Sequence, residues 1–85
     1  MQLGRRWDVG EEPPEELDER MRAAIARVEA ELEADGIDAV GWRWTLTWLE
    51  RRPVAELDDG TIVRLEPDGV AVVIPPSDDP FGADA

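Results

Sequence analysis

The sequence predicts an α+β domain in which one long N-terminal helix packs on an antiparallel four-stranded β-meander. Three observations carry that expectation. Apolar residues from Leu17 to Leu32 recur at spacings of three and four, the period of a helix buried on one side. From Val40 to Trp48 the spacing switches to two, with Trp42, Trp44, Leu46 and Trp48 alternating with Arg43, Thr45 and Thr47. The remaining apolar runs are short and are separated by two similar glycine turns, Asp58-Asp59-Gly60 and Pro67-Asp68-Gly69. At 85 residues the chain is long enough for one domain and not for two.

Taken in order, residues 1–12 form an N-terminal arm whose apolar content is Leu3, Trp7 and Val9. Their alternation is too weak to predict a strand, so the arm is either loose or a plug that sets Trp7 over the domain. Residues 13–74 form the domain proper. Its helix is expected over 14–35, on a stripe of Leu17, Met21, Ala24, Ile25, Val28 and Leu32. Pro14 suits a first turn, where its missing N–H costs nothing. Glu15, Glu16, Asp18 and Glu19 sit near the positive end of the helix dipole. Gly36 then supplies a left-handed C-terminal cap, letting Ile37 fold back onto Leu32.

Strands are expected over 39–49, 54–57, 61–65 and 70–74. Both glycine turns fit a three-residue loop closed by a glycine bulge, and that geometry fixes register. Ala55 should pair with Val63, Pro53 with Leu65, Leu65 with Ala71 and Val63 with Val73. A polar hairpin at Arg51-Arg52 would set Trp48 and Leu46 opposite Ala55 and Leu57. One sheet face then gathers the apolar side chains of all four strands, and the helix stripe should cover it. Trp42, Trp44 and Trp48 are expected beneath the helix. The other face is polar on its first-strand side and apolar on its last, where Ile62, Val70, Val72 and Ile74 collect. Residues 75–85 read as a solvated acidic tail.

Composition limits the chemistry. The chain has no Cys, His, Tyr, Lys or Asn, and all nine basic residues are Arg. Disulfides and thiolate zinc sites are thus excluded. The common catalytic bases and nucleophiles are missing as well, so no enzyme, catalytic residue or cofactor is expected. The adjacent carboxylates Asp58-Asp59 and Asp78-Asp79 sit in a turn and a tail, and neither matches the spacing of a calcium loop, so no metal site is expected. The Arg-only, Ala/Glu/Asp/Val-rich composition points to a high-GC bacterium or its phage, with a haloarchaeal source also fitting the acidity.

The formal net charge is −12, which repels phosphate backbones and anionic lipid. Direct contact with nucleic acid is therefore disfavoured, despite Arg43 lying among three Trp. No apolar segment has membrane length. Arg5-Arg6 is followed by Asp8 through Pro14 where a leader would need an apolar stretch, so a cytoplasmic location is the default. The tail segment Ser77-Asp78-Asp79-Pro80-Phe81 resembles the acidic tips by which single-stranded-DNA-binding proteins recruit partners. Those tips end at the Phe, whereas Gly82-Ala83-Asp84-Ala85 follow here, so the resemblance implies no family.

What remains is a small acidic protein-interaction module: an adaptor, inhibitor or assembly protein acting on a protein partner or on a second copy of itself. Its expected partner-binding residues are Ile62, Val70, Val72 and Ile74. The alternative is an acidic DNA mimic that inhibits a nucleic-acid-binding protein.

Overall fold

The computed structural model describes residues 5–76. Over this span the chain forms β1 (Arg5–Asp8), α1 (Glu19–Ala34), β2 (Arg43–Leu49), β3 (Arg52–Leu57), β4 (Ile62–Leu65) and β5 (Ala71–Ile74). The architecture is α+β as expected, but the antiparallel sheet has five strands, in the order β1-β2-β3-β4-β5.

The added strand comes from the N-terminal arm. β1 pairs with β2 and sets Trp7 opposite Trp44. The two indoles stack with centroids 6.2 Å apart and planes 13° from parallel. Trp7 is a buried core residue of the sheet itself. Arg5, Arg6 and Asp8 stay exposed, which is why the segment lacks an apolar alternation. One buried residue in four leaves no period to read.

The helix starts later than the stripe implies, at Glu19. Asp18 is its N-cap, and the Asp18 carboxylate accepts a 2.7 Å hydrogen bond from the Arg20 N–H. Pro14 instead opens a separate turn, with the Leu17 N–H donating to the Pro14 carbonyl, and this turn buries Leu17 ahead of the helix. The C-terminus closes as expected. Gly36 has φ 73°, Ile37 donates to the Leu32 carbonyl and Gly36 to that of Glu33, the paired bonds of a Schellman cap.

Register follows the turns closely. Ala55 pairs with Val63, Val63 with Val73 and Leu65 with Ala71. Gly60 and Gly69 have φ values of 101° and 88°, conformations that a β-carbon would strain. In each turn an Asp side chain, Asp59 or Asp68, accepts from the backbone N–H two residues on. The expected Pro53–Leu65 pair does not form, and the β3–β4 ladder ends at Val54–Arg64. At that position the ladder needs an N–H, which proline lacks.

The first hairpin turns one residue earlier than expected, at Glu50-Arg51. Both residues have positive φ, 52° and 67°. Leu49 pairs with Arg52, Trp48 with Pro53, Leu46 with Ala55 and Trp44 with Leu57. Pairing is shifted by two residues from the expected register, which leaves every side chain on its expected face. A two-residue turn with positive φ at both positions normally takes Asn-Gly, and neither Glu nor Arg marks such a turn in a sequence.

One sheet face carries Trp7, Trp44, Leu46, Ala55, Leu57 and Val63 into the core, against Leu17, Met21, Ala24, Ile25 and Val28. Trp44 is fully buried and donates its indole N–H to the Glu29 carboxylate at 2.8 Å. The expectation for the other two Trp holds less well. Trp42 is partly buried, and Trp48 is 38% exposed. The helix lies over β4 and β5, so Trp48, next to the Glu50-Arg51 turn of β2 and β3, is only partly sheltered.

Candidate interaction surface

The sheet has one helix on one side, and its opposite face carries the residues that alternate with the core. β5 lies at one edge and β1 at the other. The structure brings the four expected partner-binding residues into one corner of this open face. Ile62 of β4 pairs directly with Ile74 of β5, and Val72 pairs with Arg64 on the same face. Ile62, Val72 and Ile74 are each partly exposed. Val70 immediately precedes β5 and is 54% exposed. Residues 5–8 of the arm pair with β2 at the opposite edge of the sheet, and Leu3 lies outside the described residues.

Two further apolar residues belong to the same face. Val54 pairs with both Thr47 and Arg64, and Leu49, 63% exposed, ends β2. Parity along the strands places both there. Their link to Ile62 and Val72 passes through Arg64, which pairs with both Val54 and Val72, and strand parity in the sequence already puts Leu49 and Val54 on this face.

Charge divides unevenly between the two sides. The open face carries four arginines, Arg6, Arg43, Arg52 and Arg64, and four carboxylates, Asp8, Glu56, Asp58 and Glu66. Asp8–Arg43 at 3.3 Å and Arg64–Glu66 at 2.7 Å are paired there. These exposed pairs contribute about 0–1 kcal/mol each and serve mainly to leave the face near neutral. Residues 11–35, the helix and its approach, hold ten carboxylates against three arginines. The excess negative charge is therefore concentrated on the helix side, while the Ile62–Ile74 corner lies on the balanced side.

Among the described residues no three acidic side chains are grouped to hold a metal ion, and no helix is long and apolar enough to cross a membrane. Asp58 is committed to structure, accepting from the Arg43 N–H at 2.9 Å, and Asp59 closes the following turn. Asp78, Asp79 and the Ser77–Phe81 resemblance lie outside the described residues. No protein-family model matches the chain, and no curated protein or solved structure is significantly similar to it.

Proposed function

We propose that this chain is a non-enzymatic interaction module that binds a protein through the open sheet face, with Ile62, Val70, Val72 and Ile74 as the apolar centre of contact. The supporting observation is the corner itself. Four aliphatic residues converge on the charge-balanced side, at a sheet edge, away from the helix that covers the core. A strand apolar on both faces is usually covered on both, and aliphatic residues flanked by Arg64 and Glu56 suit a protein contact with a polar rim. The cytoplasm is the proposed compartment.

A second reading has its own observation. The ten carboxylates of residues 11–35 would suit a mimic of the phosphate backbone, occupying the basic groove of a nucleic-acid-binding protein.

Salt separates the two. Raising it from about 0.1 M to about 1 M shortens the screening length from about 10 Å to about 3 Å. Binding through the aliphatic corner should persist across that range, as read by recovery of the partner on immobilised protein. Loss of the partner by at least tenfold over the same range would favour the mimic and remove the sheet face as the main contact.

A further inference from the structure

We infer that the partner of the β5 edge is a second copy of this chain, paired antiparallel through Ala71–Ile74 into one continuous ten-stranded sheet. The inference rests on the open-face reading and assigns the edge beside that face.

The two edges of the sheet differ. β1 reads Arg5-Arg6-Trp7-Asp8, with three charged residues in four, a sequence that discourages pairing with another strand. β5 reads Ala71-Val72-Val73-Ile74 and carries no charge, no proline and no bulge. Pro75 and Pro76 follow only after the strand ends.

Backbone parity selects one register. Glu66 donates to the Val70 carbonyl, so Val70, Val72 and Ile74 are the residues whose backbone groups bond to β4. Ala71 and Val73 therefore direct their N–H and C=O groups outward. A twofold axis through Val72 sets Ala71 of each copy opposite Val73 of the other, and all four outward groups of each copy are bonded. An axis through Val73 would instead set Ala71 against Pro75, which has no N–H. An axis through Ala71 would set Val73 against Gly69, whose N–H and carbonyl are already bonded to Glu66 and Arg20. With Val72 on the axis, Val70 of one copy faces Ile74 of the other. The aliphatic corner is then doubled into a single patch.

The helix flank is self-complementary in this arrangement. Arg20 bonds the Gly69 carbonyl at the start of β5, while Glu31 and Asp35 line a groove with Val73, Pro75 and Pro76 at its end. The helix thus runs alongside β5, about 22 Å from Arg20 to Asp35 against about 23 Å from Gly69 to Pro76. Two antiparallel β5 strands bring two antiparallel helices side by side, about 10 Å apart if each lies midway over β4 and β5. Arg20 of one copy then faces Asp35 of the other, while the two Arg27 meet near the twofold axis, each within about a helical turn of Glu31 of the other copy. A chain of net charge −12 would otherwise repel its copy. Along this flank the arginines, Arg20 and Arg27, precede the carboxylates, Glu31 and Asp35, so an antiparallel copy sets the positive end of one helix against the negative end of the other.

Sedimentation of the full chain over increasing concentration, together with amide hydrogen exchange, tests the inference. The wild type should show a monomer–dimer equilibrium, and the Ala71 and Val73 amides should exchange at least tenfold more slowly at high concentration than at low. Ala71→Pro removes one outward N–H per copy at the first residue of the strand and leaves Ile62, Val72 and Ile74 in place. It should sediment as a monomer with an unchanged melting temperature. A wild type that is monomeric throughout, or a folded A71P variant that still dimerises with the same affinity, would overturn the inference. If A71P fails to fold, the concentration dependence of the wild-type Ala71 and Val73 exchange decides alone. The proposed function is judged separately: a monomeric A71P that keeps its protein partner leaves the open-face reading intact while the dimer stands, and loss of that partner from a monomeric wild type would not rescue the dimer.

Discussion

Trp44→Ala is expected to destabilise the domain by about 3–5 kcal/mol, the range for deleting a large buried aromatic. Trp44 is fully buried at the centre of the sheet, stacks on Trp7 and donates its indole N–H to Glu29. Removing it opens a cavity between β2 and the helix layer. It also leaves the Glu29 carboxylate with only its 3.3 Å contact to the Gly10 N–H among the described residues. A domain of this size holds roughly 5–15 kcal/mol in total, so the variant should be partly unfolded at moderate temperature. Urea unfolding followed by circular dichroism measures the loss. Trp44→Phe should recover part of it, because it restores ring volume without the N–H. A loss below about 1 kcal/mol for Trp44→Ala would mean that the indole does not occupy the core.

Trp7→Ala is the second large effect, expected at about 3 kcal/mol. Trp7 is the one buried residue of β1, and its stack on Trp44 adds about 0.5–1.5 kcal/mol beyond area burial. Its indole N–H has no hydrogen-bond partner among the described residues, a cost that places the effect below that of Trp44. With Trp7 gone, β1 keeps its backbone pairing with β2 and exposed side-chain contacts such as the 2.9 Å Arg5–Glu16 pair, too little to hold a four-residue edge strand. The expected signature is selective: β2 amides that face β1 should exchange faster while β4 amides stay protected. The double variant should lose about 1 kcal/mol less than the sum of the two singles, reporting the stack. Additive losses and an undisturbed β2 would show that the arm does not pair in solution.

These two tryptophans also mark how far the sequence could be read. Trp44 was legible because period-two alternation, β-branched neighbours and a matched helix stripe all agree on one buried face. Trp7 was not, because a strand with one inward residue has no period and its stability comes from a distant partner in the sequence. The glycine turns fixed register across β3, β4 and β5, since Gly60 and Gly69 occupy left-handed positions that few other residues tolerate. The Glu50-Arg51 turn uses the same backbone region without glycine, so the first hairpin register could not be read locally. Asp18 stands within a run of acids, all plausible in a first turn, and only its side-chain bond to Arg20 distinguishes the cap. For the candidate surface, Ile62, Val70, Val72 and Ile74 followed from strand parity alone. The charge-balanced surroundings did not, because they depend on which strands flank β2.

The open face as the contact surface is tested most directly by Val72→Thr/Ile74→Thr, comparing recovery of the protein partner with that of the wild type at high salt. Threonine keeps the β-branched shape and strand propensity while removing apolar contact area, and both side chains point away from the helix. A contact through this face predicts at least a tenfold loss of partner recovery with a melting temperature within a few degrees of the wild type, since the core is untouched. Unchanged recovery, with unchanged sedimentation and melting temperature, would contradict it: the Ile62–Ile74 corner would then be an exposed sheet surface with no role in binding.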